Sequence, residues 1–205
     1  IYDGAFKGMT GLEEVVLPNS LSSIYDNSFY GCINLNKINF TNNLEKIGEK
    51  AFYNTGLPNL LFPSSITQIG VGAFEKCNTL STVIFDNGIT ELKDKVFKDC
   101  EQLKNVFLSN SITRIGENTF EGCLGLSNID LSKVIEIKNS AFYNCKSLES
   151  VIFKGSFTTS QVTNMSHMFN YCPALSVLDL SIFSAVSSSK AYILRLCFFI
   201  CFWSS

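Results

Sequence analysis

A single histidine, His167, stands in a chain of 205 residues, which leaves little for acid–base or metal chemistry. One imidazole supplies neither a histidine cluster for a metal nor a second histidine for a proton relay, and His167, beside Met168 and Phe169, reads as a surface or packing residue. Net charge is nearly absent as well. The 16 Lys and Arg against 18 Asp and Glu leave −2, with no basic patch, which argues against a nucleic-acid surface built on phosphate neutralisation. Neither G-x-G-x-x-G nor G-x-x-x-x-G-K-[ST] occurs, so no phosphate cradle is indicated. The chain opens inside a pattern, at Ile1-Tyr2-Asp3-Gly4-Ala5-Phe6, without an initiator Met or a charged-then-apolar leader, so a fragment or partial gene model is expected. Two glycosylation sequons, Asn39-Phe40-Thr41 and Asn164-Met165-Ser166, are of a kind that often arises by chance, and Asn39 is expected inside a strand.

What the chain does have is a repeat. The stretch Ala73–Val83, AFEKCNTLSTV, followed by Phe85, recurs from end to end. Its anchoring phenylalanines, Phe6, Phe29, Phe52, Phe74, Phe97, Phe120, Phe142 and Phe169, are spaced 23, 23, 22, 23, 23, 22 and 27 residues apart. A fixed period of that length signals a solenoid, and a solenoid grows along one axis as one domain. Three and five residues after each leading leucine come apolar pairs such as Val83 and Phe85, or Val106 and Leu108. Alternation puts both on one side of a short strand, and stacked coils place these strands in a parallel sheet. A turn follows, as in Pro18-Asn19-Ser20 or Asp86-Asn87-Gly88. Next is a second extended stretch carrying apolar residues three apart. Phe, Cys and Leu at i, i+3 and i+6 predict a helical or 3₁₀ turn that closes the coil. Each coil must be covered by its neighbours. The predicted structural core is therefore the column Phe29, Phe52, Phe74, Phe97, Phe120 and Phe142.

The cysteines follow the repeat. Cys32, Cys77, Cys100, Cys123, Cys145 and Cys172 all lie three residues after the phenylalanine, where Met9 and Thr55 stand in other coils. A position that accepts Cys, Met or Thr is a soft core filler, whereas a bridging or metal-binding column would not survive such replacements. Cys77, Cys100, Cys123 and Cys145 are accordingly assigned to the core as free thiols, with no metal and no cofactor.

The pattern weakens after the seventh repeat. Lys154–Met168 is longer than the equivalent loops, Ser184–Lys190 is serine-rich, and Ala191–Trp203 is a mostly apolar run of thirteen residues interrupted by Arg195. A membrane-spanning helix needs about 20 such residues, so a truncated span, a hydrophobic end cap and a non-native tail all remain open. The expected division is a solenoid over residues 1–183 and a linker with an apolar tail over 184–205.

One outward column of the sheet is unusual. The residue between the two inward ones reads Val16, Asn39, Leu61, Ile84, Phe107, Asp130, Ile152 and Asp179; five of the eight are apolar, and three of these, Leu61, Ile84 and Phe107, are consecutive. Strand propensity would favour such residues anyway. Yet the neighbouring outward column, Glu14, Lys37, Asn59, Thr82, Asn105, Asn128, Ser150 and Val177, is polar in all but its last member, and propensity alone should have enriched both. The expected partner site is centred on Leu61, Ile84 and Phe107, flanked by Asn59, Thr82, Lys104 and Asn105.

Repeats such as LSTVIFDNGITELKDKVFKDC and LKNVFLSNSITRIGENTFEGC resemble the BspA-like leucine-rich repeats, a class named after Treponema proteins. The segment SQVTNMSHMFNYCPALSVLDLS is similar to a related surface-protein repeat carrying VTNM-S-x-MF. The resemblance covers roughly residues 1–183. It implies a right-handed, curved leucine-rich repeat solenoid of about eight coils, binding proteins on its concave sheet. It further implies a surface antigen or adhesin of a bacterium or protist, with a host or matrix protein as ligand. The expected function is thus a non-catalytic binding module at the cell surface or outside the cell, monomeric, without nucleic acid, its membrane association open. An intracellular scaffold built from the same repeat is the alternative, and an enzyme would need a catalytic domain outside this sequence.

Overall fold

Alternating inward and outward side chains over L-x-x-V-x-F leave each segment one apolar edge, which only a neighbouring coil can cover. The computed structural model describes residues 1–153 and 167–178, and there the coils stack as a parallel β-solenoid. The first strand column holds β1 (Glu14–Val15), β3 (Lys37–Ile38), β5 (Asn59–Phe62), β7 (Thr82–Phe85), β9 (Asn105–Phe107), β11 (Asn128–Asp130), β13 (Ser150–Ile152) and β14 (Val177–Leu178). They pair in parallel as β1-β3, β5-β7-β9 and β11-β13-β14, each residue opposite its counterpart one repeat on. The second column holds β2 (Ser23–Ile24), β4 (Lys46–Ile47), β6 (Gln68–Ile69), β8 (Glu91–Leu92), β10 (Arg114–Ile115) and β12 (Glu136–Ile137), paired as β2-β4-β6 and β8-β10-β12. The expected run of about eight coils corresponds to these eight first-column strands, and the phenylalanines from Phe6 to Phe169 bound seven full turns. The domain boundary at 183/184, the apolar tail, Asn164 and nearly all of the longer loop from Lys154 lie outside the described residues.

The third side of each coil differs from the helical turn predicted from the Phe, Cys and Leu spacing. No helix is present among the described residues. Two positions per coil, two before and two after the phenylalanine, take positive φ: Asn27 (53°), Lys50 (50°) and Lys95 (61°) in one column, Asn54 (54°), Lys76 (62°) and Asp99 (57°) in the other. A left-handed residue on each side of the phenylalanine prevents consecutive helical bonds. Hydrogen bonding instead alternates. In the second coil, Asn27, Phe29 and Gly31 donate their N–H groups to Glu49, Ala51 and Tyr53 of the next coil at 2.8–2.9 Å. Between them Tyr30 and Cys32 donate to Asn27 and Phe29 three residues back, at 3.0 and 3.1 Å. The turn side is thus another inter-coil ladder, pairing N–H groups that no helix satisfies.

The phenylalanine column forms a continuous stack from Phe6 to Phe169, ring centroids 5.1–5.8 Å apart and 1–18° from parallel. Phe29 through Phe169 are essentially buried, while Phe6, covered by one coil only, is half-buried. A second aromatic column, Phe40 just after β3, Phe62 in β5 and Phe85 in β7, meets the first edge-on: Phe62–Phe74 at 73° and Phe85–Phe97 at 71°.

Among the described residues the six cysteines are free thiols, with Cys32, Cys77, Cys100, Cys123 and Cys145 buried and Cys172 half-buried. They also have a role beyond filling space. Each Sγ donates to the phenylalanine carbonyl of the preceding coil: Cys77 to Phe52, Cys100 to Phe74, Cys123 to Phe97 and Cys145 to Phe120, at 3.1–3.3 Å. Thr55, standing in the same column, donates from Oγ1 to Phe52 of its own coil at 3.1 Å. Burial pushes the Cys77 thiol up to about 11 and raises Cys100, Cys123 and Cys145 as well. Because only the thiolate attacks, the five buried cysteines should resist iodoacetamide in the native protein and react on unfolding. Peptide mapping by mass spectrometry checks this, and native labelling of Cys100 or a disulfide between coils would contradict it. The same burial fixes a pH dependence. Above the ordinary thiol value of 9.0 the unfolded chain loses protons that the folded one keeps, so stability should fall from about pH 9 upward.

Candidate protein-binding face

The strand alternation sorts the first column cleanly. Leu60, Val83 and Val106 turn into the core, whereas Leu61, Ile84 and Phe107 are 60%, 39% and 57% exposed. β5, β7 and β9 pair so that Leu61 lies opposite Ile84 and Ile84 opposite Phe107. The stripe inferred from sequence is therefore a row of adjacent side chains on one sheet. Asn59, Thr82 and Asn105 form the next row in the same register, and Asn105 Nδ2 donates to Thr82 Oγ1 at 3.4 Å. Lys104 is exposed just before β9, held by its N–H bond to the Ser81 carbonyl at 2.9 Å.

The stripe is bounded along the solenoid. Val16, Ile152 and Val177 are exposed in or beside the same sheet, but Asn39 and Asp130 interrupt the column on either side of the central three. A groove of about 580 Å³ runs beside Leu61 and Ile84, lined also by Asn39, Asn42, Thr82 and Asp86. A smaller hollow of about 320 Å³ lies beside Phe107, with Asp130 and Lys133 at its edge. At the far end Lys37 Nζ meets Glu14 Oε1 at 2.7 Å, a solvent-exposed pair worth roughly 0–1 kcal/mol. The arrangement offers apolar area with amide and carboxylate groups around it. Among the described residues, no group of three or more His, Cys, Asp or Glu could hold a metal ion, and no helix is long and apolar enough to cross a membrane.

Sequence reasoning missed Asn39, Asn42 and Asp86 as groove residues. Asn39 was expected inside a strand, but β3 ends at Ile38 and leaves Asn39 exposed just beyond it. Its place in the Leu61 column was the available signal, since the register sets that column in adjacent coils.

The family model of the BspA type leucine rich repeat region (6 copies) matches residues 1–124 and 77–200. The chain belongs to this family. Among solved structures it is similar to a leucine-rich repeat protein from Bacteroides ovatus, at 32% identity over 72% of this chain and 44% of that one, with a TM-score of 0.59. The pneumococcal vaccine antigen PcpA aligns at 18% identity over 82% of this chain and 50% of PcpA, with a TM-score of 0.53, a likeness of fold. A leucine-rich repeat protein of T. pallidum aligns at 27% identity over 62% of this chain and 70% of that one, with a TM-score of 0.49. The chain thus spans less than half of the B. ovatus protein and half of PcpA. No functionally curated protein matches it. The repeat class supports a protein-interaction module.

Proposed function

We propose that this BspA-type array is a non-catalytic module, displayed at the cell surface or secreted, that binds a host or matrix protein through the face centred on Leu61, Ile84 and Phe107. The observation that carries the reading is the in-register apolar row, exposed on a sheet whose neighbouring row is polar. Apolar groups that a monomer leaves exposed side by side, with a polar rim, are the usual form of a protein-contact centre. Phe107 supplies the aromatic anchor, and Asn59, Thr82, Lys104 and Asn105 supply the polar rim.

The test replaces Ile84 and Phe107 together by Ser and measures binding to a panel of immobilised extracellular-matrix and serum proteins. Phe107 is mostly exposed and Ile84, 39% exposed, projects outward from the sheet, so the double variant should keep its circular dichroism and unfold cooperatively at a modestly lower temperature. Loss of an anchor typically exceeds about 1.4 kcal/mol, a tenfold drop in affinity, and at least that drop is expected here. Unchanged binding by the folded double variant would remove this face from the contact. A leader peptide in the complete reading frame would support surface display over an intracellular scaffold.

A further inference from the structure

A second site lies away from the strand face, beside the second strand column. Four residues before each core phenylalanine, successive coils carry Tyr25, Gly48, Gly70 and Lys93. Tyr25 is 54% exposed and stacks on Tyr2 of the preceding coil, the ring centroids 6.2 Å apart and 11° from parallel. Towards the following coils the side-chain ladder stops at two glycines and resumes only at Lys93. The gap spans three coil steps, about 14 Å at the strand spacing. A cavity of about 380 Å³ occupies it, bordered by Tyr25 and Lys93 and floored by the glycine backbone.

The floor is fixed by coil stacking. A Cβ on Gly48 would lie 2.5 Å from the Asp26 nitrogen, and one on Gly70 would lie 2.4 Å from the Glu49 nitrogen, so both positions require glycine. Lys46 and Gln68, register partners on β4 and β6, contribute on the strand side. Asp26 and Glu49 contribute carboxylates. One Asp26 oxygen accepts the Glu49 N–H at 2.7 Å, and the Lys46, Gln68, Glu49 and Lys93 side chains make no ion pair among the described residues. The cavity therefore combines one aromatic face with uncommitted polar groups of both signs.

We propose that this gap binds a neutral pyranose sugar, with Tyr25 as the stacking platform. A pyranose presents a flat face of C–H groups that covers an aromatic ring, and its equatorial hydroxyls reach outward to carboxylate, ammonium and amide partners in charge-assisted hydrogen bonds. Two carboxylates and two ammonium groups sum to zero, so the site exerts no net pull on an anion or a cation. An apolar ligand would instead desolvate all four charges. The volume falls within the ~300–1,000 Å³ usual for small-ligand sites.

Saturation-transfer NMR on the full chain tests this, with millimolar methyl glucoside, methyl galactoside, methyl mannoside and N-acetylglucosamine as probes and glucuronic acid as the charged comparison. At least one neutral sugar should receive saturation on the C–H protons of one ring face. The signal should fall at least fivefold in Tyr25→Ala, and also in Gln68→Trp, which fills the gap from its wall. Circular dichroism and melting of both exposed-site variants should match the parent. The Ile84→Ser, Phe107→Ser double variant should leave the signal unchanged, which separates this site from the protein-binding face. No transfer to any neutral sugar, transfer that persists in both gap variants, or transfer to glucuronic acid alone would overturn the proposal.

Discussion

Phe97→Ala should lower stability by about 3–5 kcal/mol, the usual cost of removing a buried aromatic ring. Phe97 is fully buried and contacts three other rings: Phe74 and Phe120 in its own stack, each at 5.8 Å, and Phe85 edge-on at 6.2 Å. Aromatic pairs add about 0.5–1.5 kcal/mol each beyond the area they bury, so the upper half of the range is expected. For a chain of this length the loss corresponds to a fall in melting temperature of about 6–20 °C. Its reach should exceed one coil. Stability in a solenoid is a sum of coil and interface terms, and Phe97 takes part in the interfaces on both sides of its coil. Amide exchange should therefore accelerate from Phe74 to Phe120 and stay slow in the first two coils. Phe107→Ala is the control, because that ring is 57% exposed and its removal should cost less than about 1 kcal/mol. Urea unfolding of the two variants decides the matter, and equal costs would mean that the stack does not carry the core.

The contrast between Phe97 and Phe107 shows why so much of this fold was legible in the sequence. One side of a coil meets the same neighbour at each turn, so a 22–23-residue period and strand alternation together assign Phe97 inward and Phe107 outward. The same logic placed Leu61, Ile84 and Phe107 side by side. The turn side was less legible. Positive φ falls on Asn27 and Asn54, where Asn is an expected signal, but also on Lys50, Lys95 and Ser140, where the residue type gives none. There the cost of a left-handed residue is offset by the ladder: Lys95 donates its N–H to Glu117 of the next coil at 2.9 Å. The thiol column was read as soft filler because Met and Thr replace Cys in it. Its second role, donation to the neighbouring phenylalanine carbonyl, depends on how coils sit on one another, which no single repeat records. The sugar-sized gap is of the same kind. Gly48 and Gly70 each simply follow a short strand in their own coils and form a floor only when stacked between Tyr25 and Lys93.

Gly70→Ala should be among the most damaging of the single-methyl additions, despite its small volume. The added Cβ would stand 2.4 Å from the Glu49 nitrogen, 2.4 Å from the Gly48 carbonyl carbon and 2.6 Å from the Gly48 oxygen. All three are backbone atoms of the preceding coil, so no side chain can swing aside, and the fourth coil must lift from the third. Lifting it strains the Gly70 N–H bond to the Ile47 carbonyl of the third coil, 2.8 Å. Overpacking typically costs about 1–3 kcal/mol, and leaving a buried N–H unpaired adds about 1–3 kcal/mol, so a loss of about 3 kcal/mol or more is expected. Two other glycines calibrate the measurement. Gly125→Ala would bring its Cβ to 3.3 Å from the Glu101 and Leu103 carbonyl oxygens, and should cost much less. Gly11→Ala meets no atom within 4 Å, and by restricting the unfolded chain it should be neutral or stabilising by up to about 1 kcal/mol. Urea midpoints at constant m-value should rank Gly11→Ala above Gly125→Ala and both well above Gly70→Ala. If Gly70→Ala instead unfolds within about 0.5 kcal/mol of the parent, the third and fourth coils cannot be in backbone contact at this position.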